Sequence, residues 1–403
     1  MYFLICIGLV LLSIVAYWRT HRVSIAFINC AIWAFLSIAV VALDLPKDVH
    51  AFSFVFLNIL IFAICHVMIP STRGQIQSQH NTNDITEDQL KFEKVNKITV
   101  IIALLGLVYL AYSLGFRLRT FTSVSSLMSR MNAISHMRYS DDGEYLPLIN
   151  RFINSFSYAV CGYAGFYFAK KFKKEYFYNL IIIAAQTVIT NTKATLVFAI
   201  AFFAGGFLTG FSYFGKRINL KRILIVVAAG VGIVVFSTLI DYFRHAGQID
   251  MYTEFQKIIS AYFVGPYSAF SIWFGNDPKN SLEMGANTFS SIFRLLGIAP
   301  QTHGDFVLVN GVSTNVYTIY KHLINDYSLF GTVLISAIMG WFSAFIDNKV
   351  KENKRSFVGI SIVVMATVLI AFFSSLYRYT VNVLAALIII WVSLPIRFSV
   401  RRR

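Results

Sequence analysis

Apolar residues are grouped along this chain into long runs, separated by short polar or basic stretches. A helix needs roughly 20 apolar residues to cross about 30 Å of hydrocarbon, and many of the runs approach that length. The runs predict about eleven membrane-spanning helices (range ~10–12), at residues 2–18, 23–43, 51–70, 98–116, 152–169, 178–191, 194–213, 223–240, 327–346, 357–376 and 382–396. The predicted fold class is an all-α polytopic integral membrane protein, with residues 1–403 as one membrane-embedded domain.

The apolar stretch 178–213 is interpreted as two spans, because only a short polar sequence, Thr-Asn-Thr-Lys, interrupts it at 190–193. A single helix of that length would measure about 54 Å, which is too long for one crossing of a bilayer. We therefore predict a helical hairpin with Lys193 at its tip.

Composition agrees with a membrane protein. Hydrophobic residues make up 57% of the chain and charged residues 13%, whereas a soluble domain carries about 25% charged residues. The net charge of +16 comes from Lys and Arg clustered at the ends of apolar runs. Since no basic stripe interleaves with aromatic residues, we expect contacts with membrane lipids and no nucleic-acid partner. The cysteines lie inside apolar runs, so we expect them to be free thiols.

The basic clusters fall on one side of the alternating spans, near 19–22, 73–97, 170–174, 216–222, 349–355 and 397–403. Cytoplasmic loops carry the excess of Lys and Arg, so we predict a cytoplasmic C-terminus and an external N-terminus. The two long external loops are then 117–151 and 241–325. The larger loop is polar, is expected to contain short helices, and offers room for a hydrophilic substrate.

Several external basic residues lie beside bulky residues at or near the ends of apolar runs: Lys193, Arg244, Arg294 and Arg378. A cation at the membrane rim needs a partner. Snorkelling toward headgroups explains any one of them, and long solvated loops tolerate basic residues. Four on one face favour a shared anion, and phosphate suits the Arg fork and the Lys point charge.

Acidic and imidazole side chains give weaker signals. The sequence has no HExxH, DxD or Cys/His cluster, which predicts no metal site and no cofactor. His303 and Asp305 could supply a general base and its orienting partner, or simply form a polar turn. Asp326 precedes a predicted span, where capping the helix is the ordinary role. Some external aromatic residues could stack on sugars or pack in the core: Tyr262, Tyr267, Trp273, Tyr317 and Tyr320.

Stretches of the C-terminal half, from about 187 to 379, match a known pattern. They are GANTFSSIFRLLG from Gly285, NVYTIYKHLINDYSLFG from Asn315, GWFSAF from Gly340, DYFRHAG from Asp241, AYFVGPY from Ala261, and the Thr-Lys193 tip between two spans. With these stretches the chain resembles bacterial O-antigen polymerases. The first 180 residues match only in consisting of spans and loops.

The resemblance implies a multi-pass enzyme of the bacterial inner membrane whose large loop is periplasmic. It would be a metal-independent glycosyltransferase of lipopolysaccharide biosynthesis that joins undecaprenyl-pyrophosphate-linked oligosaccharide repeat units by block transfer. A chain-length regulator protein and a flippase would be its protein partners. On this hypothesis the candidate catalytic residues are Arg244, Arg294, His303 and Asp305. The candidate diphosphate and sugar ligands are Lys193, Arg378, Arg117, Asn315, Tyr317 and Asp326.

Two alternatives share these features. An O-antigen ligase also has a large periplasmic loop. A flippase or transporter of lipid-linked oligosaccharides would be a non-enzyme, and it should show repeated halves and ionisable residues at mid-span. The sequence shows no convincing repeat and few charges within the spans, so the enzyme hypothesis is favoured.

Overall fold

The computed structural model describes residues 1–20, 23–70, 82–119, 148–190, 193–215, 232, 263–276, 282–298 and 306–394, and for 82–87, 113–119, 148, 193, 294 and 295 it describes the backbone alone. The helices in these ranges are α1 (Tyr2–Thr20), α2 (Ile25–Ala42), α3 (Val49–Met68), α4 (Thr82–Arg119), α5 (Leu148–Lys170), α6 (Tyr178–Thr190), α7 (Lys193–Tyr213), α8 (Gly265–Asn276), α9 (Ser290–Leu295), α10 (Ile319–Lys351), α11 (Val358–Ile370) and α12 (Thr380–Ser393). Strands β1 (Val307–Val309) and β2 (Val312–Thr314) form an antiparallel hairpin.

Every predicted span within the described ranges coincides with a helix. Six helices there are long and apolar enough to cross a membrane, namely α1, α2, α3, α7, α10 and the part of α4 from Asp88 to Tyr112. Helices α11 and α12 are apolar but shorter. These helices support the predicted class, a helical membrane protein. Of the predicted span 223–240 only residue 232 is described, and the total of eleven stays a prediction.

The stretch 178–213 folds back on itself. Helix α6 ends at Thr190 and α7 begins at Lys193. The ring of Phe177, just before α6, lies 5.2 Å from the ring of Phe203 in the middle of α7. In one continuous helix these rings would be roughly 39 Å apart at 1.5 Å per residue. The predicted helical hairpin is therefore present.

Helices α5 and α7 pack with their backbones nearly touching, through glycines on both helices. A Cβ atom at Gly206 would overlap the carbonyl group of Gly162, and one at Gly165 would overlap the carbonyl of Phe203. At Gly210 the Cβ would lie 2.6 Å from the carbonyl oxygen of Phe166. Lipid tails are as apolar as Leu side chains, so close backbone packing of this kind is what drives helices together in a bilayer.

One end of the helix bundle gathers the basic connections, and we call it the basic end. Arg355 pairs with Asp88 there. The carboxylate of Asp347 accepts hydrogen bonds from the amide of Ile25 at 2.9 Å and from His66 Nε2 at 3.0 Å, which ties α10 to α2 and α3. The described basic clusters that the sequence assigns to one side of the membrane thus share one end of the bundle.

The opposite end, which we call the loop end, holds the remaining connections. Its contacts include a hydrogen bond of 2.8 Å from the Asp48 amide to Ser271 Oγ and one of 2.7 Å from the Ile319 amide to the Ala371 carbonyl. Helices α8 and α9 and the β-hairpin lie at the loop end. Asn310 and Gly311, with φ of 48° and 79°, form the hairpin turn. Two central residues with positive φ are what a tight hairpin turn requires.

Replacing Gly206 by Leu tests the glycine contact. We expect the substitution to separate α5 from α7 and to lower stability by about 3 kcal/mol or more, because the new side chain meets backbone that cannot move aside. The thermal unfolding midpoint of the purified chain in detergent measures the effect. Ala204→Leu, at a partly exposed position of the same helix, is the control. Equal midpoints for the two variants would contradict the packing described above.

Candidate functional site

Helix α10 is interrupted near its start, at the loop end. Ser328 has φ 65° and ψ 179°, which divides α10 into a short first part, 319–327, and a long second part. Non-glycine residues rarely adopt this conformation, and they keep it only where the surroundings enforce it. The interruption turns backbone carbonyls of the short part toward another segment. The amides of Glu283 and Met284 donate to the carbonyls of Asn325 and Asp326 at 3.1 and 3.0 Å.

The carboxylate of Asp326 strengthens this junction. Its Oδ1 accepts from the backbone amide and the side-chain amide of Asn287, each at 2.9 Å, and its Oδ2 accepts from the amide of Thr288 at 2.6 Å. Asp326 is fully buried. A buried carboxylate is stable only with such a set of donors. Asp326 therefore holds residues 282–298, which we call the docked segment, against α10.

The docked segment also contacts the connection between α11 and α12. Ser375 Oγ donates to the Thr288 carbonyl at 2.9 Å, and Ser291 Oγ donates to the Tyr377 carbonyl at 2.7 Å. The rings of Phe289 and Tyr377 are 5.4 Å apart. Burial raises the pKa of the Tyr377 phenol, and its hydrogen bond with Thr367 opposes that shift only partly. The segment is thus fixed on two sides by polar contacts in a dry environment.

Three basic residues lie near the start of α10, and we call Lys321, His322 and Arg378 the cationic cluster: Lys321 and His322 are neighbours in α10, and the side chain of Arg378 contacts His322. An Nη atom of Arg378 lies 3.1 Å from Nε2 of His322. A guanidinium can only donate, so Nε2 accepts and the His322 ring is neutral with its proton on Nδ1. Both Lys321 and His322 are buried. The Lys321 ammonium lies 3.5 Å from the ring centroid of Tyr317 and 5.5 Å from that of Trp273.

Concentrated positive charge of this kind is suited to an anion. The faces of Tyr317 and Trp273 stabilise the Lys321 ammonium by cation–π attraction. A neutral His322 accepts from the Arg378 guanidinium and so helps to orient it. An arginine fork and an ammonium held by packing are the groups that bind phosphate oxygens.

Two more predicted cations have their backbones at the loop end. Lys193 begins α7, and five residues further on the Phe198 ring lies 4.8 Å from the ring of Tyr379. Arg294 belongs to α9, whose first residue, Ser290, donates through Oγ to the Arg378 carbonyl at 3.4 Å. The fold thus brings these backbone positions close to Arg378, although the three are far apart in the chain.

The other predicted site residues lie in different parts of the fold. Arg117 lies near the C-terminal end of α4, the end opposite Asp88 and therefore at the loop end. Asn315 is exposed beside the β-hairpin, and Tyr317 is buried against Lys321. Asp326 lies inside α10, not before a helix as the sequence predicted, and its carboxylate is committed to the docked segment. Arg244, His303 and Asp305 lie outside the described residues, so their catalytic roles stay predictions.

Among the external aromatic residues proposed for sugar stacking, Tyr267 and Tyr320 are buried core residues. The Tyr267 ring stacks on Phe52 with centroids 4.5 Å apart, and Tyr320 packs against Trp33 at 5.1 Å. For these two residues the packing interpretation applies. Tyr262 lies outside the described residues.

Sequence reasoning did not assign Lys321 and His322 to the site. Both lie in the stretch NVYTIYKHLIND, and a Lys-His pair at the start of a span is an available signal. His322 and its partner Arg378 are 56 residues apart in the chain, and only the fold brings the two together.

Within the part of the chain that the structure describes, no group of three or more His, Cys, Asp and Glu side chains lies together. The predicted absence of a metal and of a cofactor stays a prediction. In comparisons with known proteins, no family model, no curated protein and no solved structure matches the chain.

The role of Asp326 can be measured by thiol labelling of Thr288→Cys in a chain whose own cysteines are replaced by Ala. Thr288 is buried, so the new thiol reacts only when the docked segment opens. Adding Asp326→Ala leaves two backbone amides without their acceptor, which costs about 2 kcal/mol. We expect labelling about thirtyfold faster, which is this free energy expressed as a rate ratio.

Asp326→Asn is the matched control for that measurement. It keeps one acceptor oxygen and loses the charge, so its labelling rate should fall between the other two. An unchanged rate in Asp326→Ala would show that the carboxylate does not hold the docked segment.

Proposed function

We propose that this chain is an inner-membrane glycosyltransferase that polymerises oligosaccharide repeat units carried on undecaprenyl pyrophosphate. The cationic cluster at the loop end is the observation that carries this proposal. Under this proposal the loop end faces the periplasm and the basic end faces the cytoplasm, because cytoplasmic loops carry the excess of Lys and Arg.

Two properties of the site support the proposal. The cluster lies at the end of an apolar helix bundle, where a lipid-linked diphosphate would place its charge while its chain stays in hydrocarbon. The docked segment and the β-hairpin add exposed polar surface, including Asn315 and Ser313, at the same end for sugar hydroxyls. The stretches NVYTIYKHLIND and SSIFRLLG, which resemble O-antigen polymerases, lie at the start of α10 and in the docked segment.

The reaction that fits is a block transfer. The bond between the anomeric carbon and the diphosphate oxygen breaks, and its electron pair leaves with the diphosphate. A hydroxyl oxygen of the incoming repeat unit forms the new bond to that carbon and gives up its proton to a general base, the role for which the sequence offers His303. Arg378 and Lys321 would stabilise the negative charge that grows on the leaving group, an effect typically worth a factor of about 10²–10³ per donor. His322 would act as a positioning residue for Arg378.

Substitution of Arg378 tests the proposal in a strain that lacks the chromosomal copy of this gene. We expect Arg378→Ala to lower polymer formation by about 10²–10³-fold, since one leaving-group donor is lost. Gel electrophoresis of lipopolysaccharide would then show core capped by a single repeat unit in place of a ladder. Arg378→Lys, which keeps the charge and loses the fork, should give a partial ladder.

Lys354→Ala, an exposed cation at the basic end, is the matched control and should give a normal ladder. Immunoblots of the membranes check that each variant is present. Normal ladders from both Arg378→Ala and Lys321→Ala would refute the anion site. If deletion of the gene removes even the single repeat unit from the surface, a ligase or a flippase becomes the better explanation.

The orientation of the chain needs its own test, in a background with the native cysteines replaced. Ser313 in the β-hairpin and Lys354 at the basic end are both exposed. We expect Ser313→Cys to react with a membrane-impermeant maleimide in intact spheroplasts, and Lys354→Cys to react only after permeabilisation. The reverse pattern would invert the topology and place the cationic cluster in the cytoplasm.

A further inference from the structure

Helix α10 is divided at Ser328 although its residues favour a continuous helix. From Ile319 to Lys351 it contains no proline, the residue that most often breaks a helix. Ser328 nevertheless has φ 65° and ψ 179°, a backbone conformation that is nearly restricted to glycine. The break is therefore imposed by contacts with the rest of the protein and not by the local sequence.

The break disrupts helix hydrogen bonds, and the docked segment replaces two of them. A bond from a carbonyl to the amide four residues further on requires helical backbone at the three residues between. Ser328 is one of those intervening residues for the carbonyls of the three residues before it. Two of the three, those of Asn325 and Asp326, accept from amides of the docked segment, at 3.1 and 3.0 Å. The docked segment and a continuous α10 thus compete for the same two carbonyls.

The docked side of this contact is strained as well. Met284, whose amide donates to the Asp326 carbonyl, has φ 47°. Gly285 follows with φ 96°, and a Cβ atom there would lie 2.9 Å from the Tyr327 hydroxyl. Non-glycine residues keep a positive φ only where surrounding contacts hold them. The buried carboxylate of Asp326 supplies such contacts, so departure of the docked segment would relieve the strain at Met284 and at Ser328.

The long part of α10 crosses the membrane without the short part. Residues 329–351 measure about 35 Å, which exceeds the ~30 Å of hydrocarbon. The short part, 319–327, is held by contacts at the loop end, including that of His322 with Arg378. If Ser328 turned to helical φ and ψ, the short part would swing out of these contacts, because the long part is fixed in the bundle.

We propose that Ser328 is the hinge of a two-state switch. In the docked state α10 is interrupted, residues 282–298 lie against it, and His322 meets Arg378. In the released state the docked segment has left, α10 is one continuous helix, and the cationic cluster is separated. The two shared carbonyls have hydrogen-bond partners in both states, so neither state leaves them unsatisfied. The switch requires no ligand and does not depend on the proposed function.

Thiol labelling at two positions tests the switch in the full chain, purified in detergent, with its own cysteines replaced by Ala. Thr288→Cys reports departure of the docked segment, and Leu323→Cys reports movement of the short part of α10. Both residues are buried in the docked state, so a thiol there reacts only after opening. Each replacement is combined with Ser328→Gly or with Ser328→Ala.

The two substitutions at Ser328 should change labelling in opposite directions. Glycine adopts the docked-state conformation without strain and disfavours a continuous helix, so we expect Ser328→Gly to slow labelling at both positions about tenfold. Alanine keeps the strain and favours a helix, so Ser328→Ala should speed labelling at both positions about twofold.

Ser271→Cys on α8 is the control. Ser271 is buried at the loop end and bonds to the amide of Asp48, outside both moving parts, so its labelling should not change. Equal rates for Ser328→Gly and Ser328→Ala at Thr288→Cys would overturn the switch, since the interruption would then persist when the segment leaves. So would a change at Thr288→Cys without one at Leu323→Cys, or a parallel change at Ser271→Cys, which would indicate a general effect on stability.

Discussion

The carboxylate of Asp326 is the constraint on which the loop end depends. It bonds the amides of Asn287 and Thr288, and the interrupted helix beside it offers two further carbonyls to the same segment. Because the carboxylate of Asp326 and Thr288 are buried, breaking the bond between them leaves both groups unsatisfied. The docked segment in turn fixes the connection that carries Arg378. A residue deep in the fold thus helps to set the position of the connection that carries Arg378.

The bundle that supports this end is held by a different kind of contact. Glycines such as Gly165 and Gly206 let α5 and α7 approach to backbone distance, and the buried Asp347 ties three helices together at the basic end. Shape and internal hydrogen bonds replace the hydrophobic effect, which gives little driving force within lipid.

Apolar runs were sufficient to locate the described spans, since crossing hydrocarbon demands length and apolarity and little else. The same reasoning gave the hairpin at Lys193. It was less accurate where polar residues extend a helix. The predicted span 327–346 matches the part of α10 that follows the interruption at Ser328, but the residues before it, 319–327, are helical as well, and most of them are buried within the protein. The β-hairpin was also missed, although Asn310-Gly311 between short apolar runs is a strong hairpin signal.

The sequence by itself determined the membrane class, the positions of the described spans, and the grouping of basic residues at one end, because each depends on local composition. It also pointed to Arg378 and to the stretch around Lys321. Only the tertiary structure decided that His322 meets Arg378, that Asp326 faces the protein, and that Tyr267 and Tyr320 are core residues. Those outcomes depend on which side chains of distant segments meet, and apolar periodicity carries no information about such pairings.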